Sequence, residues 1–445
     1  SPQPQGGCQR QTGAASHRGL ASFSARAIDR AKGKSVASRM LLRSCQINPV
    51  SSPSIEDGFV RLDGGRISEI GPWSECSNQS EAEDLGEVIL MPGLVNTHCH
   101  LDYTDFVGAI PSASSFTDWI RAIVDLKADV DDAALQASWL RGAQQCLNHG
   151  ITTLGNIETR RDLLPDLWSQ TPLRMVSFLE IILLQPESDV EQELKELQTW
   201  VRGNTTPRGC VGISPHAPYT TKHELLEACA DFRDVPMAMH VGESAEEDQM
   251  FREGSGTMFD MLARVGRNMV DCGGQSPLAN AQRAGLLGER FVLVHGNYLD
   301  ESDRQLISRA DAHWVHCPRS HDYFGHQAFA LDAVRNAEIN LCLGTDSLAT
   351  VCDANAELDL FEEMRMFVQH HPQVTADACV DMVTQNAARA LGLEEQVGTL
   401  EPGKMADFIT LPWNEKSGDV AEQIVAHQGE VTSVMINGEW VARDE

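Results

Sequence analysis

The sequence predicts an α/β protein: a (β/α)8 TIM-like barrel joined to a small β-sandwich domain that both termini build. Three observations predict it. Eight short apolar runs alternate with helix-patterned stretches through the middle of the chain, nearly every run ends in a polar residue, and strand-rich segments with tight turns stand at both ends. Alternation alone would also fit a doubly wound open sheet. The count of eight and the polar strand ends decide for the barrel, because that fold gathers its active site from strand C-termini and the loops that follow.

In chain order, residues 1–39 stand apart. They carry seven Lys or Arg against one acid, Asp29, with no sustained apolar pattern. Such a segment reads either as an organelle transit peptide or as a reading frame extended upstream of Met40, and it is expected to be disordered. Residues 40–90 read as strands and turns: "GFVRLDGGRISEIG" holds two alternating segments about an Asp-Gly-Gly turn, a hairpin signal.

Residues 91–395 hold the barrel. Its strands are expected in "GLVNTHCH", "ITTLGNIE", "LRMVSFLEII", "GCVGISPHA", "VPMAMHVGE", "FVLVHGN", "HWVHCP" and "INLCLGTDS". Helical periodicity marks "DDAALQASWLRGAQQCLNHG", "ESDVEQELKELQTWV" and "TKHELLEACADF" between them. Residues 396–445 return to strands in "GKMADFITL" and "VTSVMINGEWV", the latter turning at Asn437 and Gly438, so the two ends are expected to complete one composite sandwich.

Composition narrows the partners. A formal net charge of −29 argues against a nucleic-acid polymer, since phosphate binding needs a basic surface. No stretch approaches the ~20 continuous apolar residues of a membrane helix. The twelve cysteines form no CxxC pair and several sit inside apolar runs, which suits reduced, buried thiols in a cytoplasmic protein.

The first barrel strand ends in His98-Cys99-His100. Alternate strand residues share a face, so the two imidazoles are expected to point one way and Cys99 the other. An H-x-H pair is either a metal half-site or two ordinary polar residues. Company decides: the fifth strand ends in His240, the sixth in His295 and the eighth in Asp346. A barrel converges its strand ends on one axis, and imidazoles with one carboxylate suit a single divalent ion, Zn2+ before Fe2+, with a position left for water. Glu243, three residues past His240, is open to two readings: a helix N-terminal Glu, or a carboxylate placed to take a proton from water acidified by the metal.

The motifs "PGLVNTHCHLD", "ISPHAPYTT", "HVGES", "VHGNYLD", "VHCPRSH", "LGTDS", "TQNAARALGL" and "VGTLEPGKMADFITL" together resemble the amidohydrolase superfamily, from about Leu41 to Val441. More narrowly they resemble its chlorohydrolase/deaminase branch, with S-adenosylhomocysteine, guanine, 8-oxoguanine and aminodeoxyfutalosine deaminases. The resemblance implies a metal held by His98, His100, His240 and Asp346, with Glu243 as proton shuttle. It implies that His295 hydrogen-bonds the attacking water or the tetrahedral intermediate, and that His216 of "PHAPY" contacts substrate. Relatives with two metals carry a carboxylated lysine on the fourth strand; "GCVGISPHAPY" has none, which favours one metal.

The expected reaction is hydrolytic deamination of an amino-substituted N-heteroaromatic of the adenine-nucleoside type, such as aminodeoxyfutalosine, S-adenosylhomocysteine or adenosine. Dechlorination or cyclic-amide hydrolysis is the alternative within the superfamily, and a non-catalytic barrel scaffold the alternative outside enzymes. Arg319 in "HCPRSHDYFGHQAF" is read either as a planar clamp for a substrate carboxylate or as a loop-stabilising donor to backbone carbonyls. The segment "GAIPSASSFTDWIRAIVDLK" is expected to cover the pocket, with Trp119 packing on substrate or lying under the lid. The partner expected is a small molecule, and a homodimer is usual for the branch.

Overall fold

The computed structural model describes residues 39–110, 114–185, 187–415 and 418–443. The leader reading falls on residues outside these, apart from Arg39. Five strands open the described chain: β1 (Met40–Ile47), β2 (Ile55–Asp63), β3 (Arg66–Pro72), β4 (Glu83–Asp84) and β5 (Val88–Pro92). The barrel strands follow as β6 (Leu94–Cys99), β7 (Ile151–Glu158), β8 (Arg174–Ile181), β9 (Cys210–Pro215), β10 (Met237–Val241), β11 (Phe291–His295), β12 (His313–His316) and β13 (Asn340–Leu343). Three more close the described chain: β14 (Phe408–Pro412), β15 (Ser433–Ile436) and β16 (Glu439–Arg443).

The terminal strands join edge to edge in the order β16-β15-β14-β5-β1-β2-β3, with β4 on β1, so both ends of the chain share one eight-stranded sheet. Both expected hairpins form, β2–β3 about Gly64 and Gly65 and β15–β16 about Asn437 and Gly438. The sandwich is therefore made from one sheet that curls back on itself. Ile67 N donates to Lys404 O and Ala406 N to Gly65 O, bringing the β2–β3 turn against the β14 approach. Leu42, Val60, Leu62, Leu90, Phe408 and Met435 fill the fold so formed.

The eight expected barrel strands all form, in the order β13-β12-β11-β10-β9-β8-β7-β6, each pair parallel. Closure is made at the mouth. Asp346 N donates to His98 O at 3.1 Å, Asn96 Nδ2 to Thr345 Oγ1 at 2.7 Å, and Cys99 bridges Asp346 in parallel. Period-two burial divides the strands cleanly. Val95, Ile157, Val176, Phe178, Ala238, Val292, Val294 and Val315 fill the barrel axis. Their neighbours Leu94, Met175, Met237, Met239 and Leu293 join the core between strands and helices. The expected helices appear at Asp132–Asn148, Val190–Gly203 and His223–Cys229. No helix among the described residues is long and apolar enough to cross a membrane.

Candidate metal centre and active site

Four histidines and two carboxylates meet where β6, β10, β11 and β13 end. Ligand atoms of His98, His100 and His240 lie within 4.8 Å of one another, as do those of His98, His295 and Asp346. Asp346 Oδ1 stands 3.4 Å from His98 Nε2 and 3.6 Å from His100 Nε2. Cys99 faces away into the core between strands and helices, as strand alternation requires. The pairing of β6 with β7 shifts between Asn96 and Cys99, an irregularity at the position of His98.

Backbone geometry aims two of these groups. Val292 and Val294 face the barrel axis, so simple alternation would turn the next residue, His295, outward. His295 instead adopts φ 72° and Asp346 φ 53°, left-handed conformations uncommon for residues with side chains, and both reach the mouth. Trp314 Nε1 donates to His295 O at 2.8 Å and holds that turn.

Glu243 follows Gly242 (φ 63°) and precedes Ser244, the N-cap of the helix Ala245–Glu253. Its side chain does not cap that helix. Its Oε1 lies 3.5 Å from His295 Nε2, while its backbone is held from both sides: its N donates to Glu247 Oε2 (2.9 Å), and its O accepts from Asn297 Nδ2 (3.0 Å). Burial, with Asp346 and Glu247 nearby, raises the Glu243 carboxyl well above the ordinary range, so it takes up a proton readily. Burial works the other way on the imidazoles. His100 and His240 are held well below their usual value by burial and by the neighbouring rings, which favours the neutral, ligating form. Burial alone would raise Asp346, but the His98 ring beside it and the neighbouring His295 and His100 hold it well below the carboxylate range.

The donor set fits a divalent cation. Both ring nitrogens of His98 and Nδ1 of His100 are buried without a hydrogen-bond partner, an expensive arrangement unless something else satisfies them. His240 Nδ1 lies 3.0 Å from His216 O; donating there leaves Nε2 for a metal, the outer-shell carbonyl contact typical of ligating histidines.

The cavity above this centre is lined by His100, His216, His240, Glu243, His295 and Asp346 at its floor. Phe116, Trp119, Ile120, Ile123, Val124 and Lys127 line it from the helix Phe116–Ala128, which is the expected cover. Phe116 N donates to Glu246 Oε1 at 2.9 Å, tying the cover to the Glu243 segment. Trp119 faces the cavity and also packs on Phe116 and Phe324, so both of its expected roles have a structural basis. His216 Nδ1 lies 2.7 Å from Thr220 Oγ1, with Nε2 turned toward Glu180 Oε1 at 3.9 Å.

Arg319 is the exception. It does not line this cavity. Its Nε donates to Glu363 Oε1 at 2.5 Å, and its Nη1 to Glu362 Oε2 at 2.9 Å and Glu357 O at 3.0 Å. A guanidinium already paired with two carboxylates is not open to a substrate carboxylate, so the clamp reading is corrected: Arg319 braces the loop after β12 on the helix Leu360–His370. His321 and His326 likewise pair with Asn297 and Tyr298 rather than lining the cavity. Sequence reasoning missed Tyr103, Lys127 and Glu180, all on the cavity wall. The signals were faint: a charged residue at an inward position in "FLEII", and a tyrosine three residues past His100.

A parallel barrel whose mouth gathers imidazoles, an aspartate and a protonatable glutamate has the layout of a metal-dependent hydrolase. The chain belongs to the amidohydrolase family, which it matches over residues 89–441. It is 26% identical to a 5-methylthioadenosine/S-adenosylhomocysteine deaminase of Bacillus cereus, over 87% of this chain and 89% of that protein. Among solved structures it resembles a zinc-bound adenosine deaminase from Xanthomonas campestris, with TM-score 0.76 and 26% identity over 91% and 93% of the two chains. The Helicobacter pylori aminofutalosine deaminase, in complex with methylthio-coformycin, shares the fold with TM-score 0.80 at 20% identity over 91% and 100%.

Proposed function

We propose that the chain is a hydrolytic deaminase of adenine-type nucleosides, a hydrolase acting on a carbon–nitrogen bond and releasing ammonia. The observation that carries it is Glu243, buried and with its Oε1 3.5 Å from His295 Nε2, beside the cluster of His98, His100, His240 and Asp346. The deaminase names of relatives spanning nearly the whole chain support the same reading.

A divalent ion on those four ligands supplies Lewis acidity, making water acidic enough to react near neutral pH. Zinc is the ion we assign, because imidazole-rich sites with one carboxylate suit it and the Xanthomonas relative holds it. Glu243 takes the proton of the reacting water and delivers it to the ring nitrogen next to the carbon bearing the amine. His295 donates to the oxygen that develops charge at that carbon. Asp346 or Glu243 then passes a proton to the departing nitrogen, so water adds, the C–N bond breaks and ammonia leaves. His216, fixed by Thr220, contacts the base from the β9 side.

The test is ammonia release by zinc-loaded protein from adenosine, S-adenosylhomocysteine and aminodeoxyfutalosine. Glu243→Gln is expected to retain zinc by mass spectrometry while kcat falls ~10²–10⁴-fold, the usual contribution of a proton-transfer group. Wild-type-like turnover in that variant would falsify the shuttle role. Chloride release from a chlorotriazine without ammonia release from the nucleosides would move the chain to the dechlorinating branch.

A further inference from the structure

The segment that follows β12 puts no side chain on the cavity wall, yet it reaches the chemistry through hydrogen bonds. Its helix Pro318–Phe324 is anchored from behind, where Arg319 donates through N and Nε to Glu363 on the helix Leu360–His370. From that base His321 Nδ1 lies 3.0 Å from Asn297 Oδ1, and Asn297 Nδ2 donates to Glu243 O, also at 3.0 Å. Gln327 Nε2 donates to Asn297 O at 2.8 Å, so the segment grips Asn297 by backbone as well as by side chain.

The polarity of this path is fixed. A carbonyl only accepts, so the amide nitrogen of Asn297 faces Glu243 and its oxygen faces His321, which therefore carries its proton on Nδ1. Either orientation of an asparagine amide fills the same space, and only its partners decide between them. The imidazole thus selects the orientation that serves Glu243. That carbonyl needs a holder, because the pairing of β10 with β11 ends at Val241 and His295, and Glu243 follows a glycine with φ 63°. One turn after β11 then meets Glu243 twice: His295 Nε2 stands 3.5 Å from its Oε1, and Asn297, two residues on, holds its backbone.

We propose that His321 is a positioning residue for Glu243, acting through Asn297 to hold the proton-carrying carboxyl in register with His295. The inference rests on the deaminase reading and adds to it a residue that touches neither metal nor substrate. Proton transfer needs the carboxyl within hydrogen-bond reach of both the water and the ring nitrogen, and a displacement of about 1 Å costs up to ~10²-fold in rate. Loss of the His321 donor therefore acts on the chemical step rather than on substrate binding.

Two substitutions separate the hydrogen bond from the packing. His321→Phe keeps a ring and removes the donor; His321→Asn gives up the ring and keeps an N–H near the Nδ1 position. The assay is ammonia release by zinc-loaded protein from adenosine, S-adenosylhomocysteine and aminodeoxyfutalosine. His321→Phe should lower kcat about tenfold with KM and zinc content unchanged, whereas His321→Asn should stay within about threefold of wild type. Asn297→Asp, which cannot donate to the Glu243 carbonyl, carries the same test on a second residue: kcat should fall alike, and adding His321→Phe to it should cost nothing more. A packing role predicts the reverse order of the two His321 variants. It also predicts a raised KM, because Phe324 on the same helix packs on Phe116 and Trp119 of the cover. Hydrogen exchange over residues 242–247 of the zinc-loaded protein reads the restraint without substrate, and should quicken in His321→Phe but not in His321→Asn. Undiminished kcat and unchanged exchange in His321→Phe, or equal loss of kcat in both His321 variants, overturns the positioning role and leaves the deaminase reading standing. No ammonia from any of the three nucleosides with wild type, while exchange still quickens in His321→Phe alone, overturns the deaminase reading and leaves the positioning role standing.

Discussion

At the scale of single residues, the barrel wall holds a carboxyl that should leave a signature in stability. Glu158, the last residue of β7, accepts from Trp139 Nε1 at 3.0 Å and from Ser177 Oγ at 2.9 Å, while Ser177 accepts from Trp168 Nε1 at 2.9 Å. Burial raises Glu158 to about 8 against those hydrogen bonds. The native state therefore binds this proton more tightly than the unfolded chain does. Its stabilising contribution is complete below the ordinary carboxylate range and is lost as pH rises through about 8. Glu158→Gln should flatten the decline of the urea midpoint between about pH 5 and pH 8. A wild-type pH profile in the variant would show that the carboxyl titrates elsewhere.

At the scale of the element, the end of β11 shows how a strand is bent to serve a site. His295 and Gly296 both have positive φ, 72° and 65°. A Cβ on Gly296 would lie 2.4 Å from the Trp314 ring, the same ring whose Nε1 holds His295 O. Gly296→Ala should destabilise the fold by roughly 1–3 kcal/mol, the cost of overpacking combined with a strained φ. Because the displaced turn carries His295, kcat should fall more than zinc content does, and the two are separable by mass spectrometry and an ammonia assay. The β6 end works differently: its histidines ride on a register shift and are joined to β13 through Asn96 and Thr345, so barrel closure and ligand placement are one structural feature.

For the whole molecule, the composite sheet and the barrel are locked by a buried ion pair. Arg174 on β8 donates through Nε and Nη2 to Asp407 Oδ2 at 3.0 and 2.8 Å, and through Nη2 to Asn437 Oδ1 at 2.6 Å. Asp407 Oδ1 accepts from Asn437 N at 2.7 Å, so the carboxylate serves both parts. Their side chains are 2% and 1% exposed, beyond the reach of solvent screening. Arg174→Met leaves Asp407 buried and unpaired and should cost about 3–5 kcal/mol. Denaturant unfolding would measure it; a loss below about 1 kcal/mol would mean that water or another donor replaces the guanidinium.

The sequence by itself determined what is local. Eight apolar runs, two Gly-containing hairpin turns and polar residues at strand ends carry the barrel and the terminal sheet and mark which residues stand at the barrel mouth, because alternation and turn chemistry act between residues close in the chain. Which charges remain available was decided only by the tertiary structure. Arg319, which the sequence left open between a substrate clamp and a loop brace, is taken by Glu362 and Glu363, some forty residues away. The left-handed turns that aim His295 and Asp346 were likewise invisible, since nothing in "LVHGN" or "LGTDS" marks the residue that departs from alternation. Electrostatic pairing acts through space, so a charge declares its role only once distant segments have packed against it.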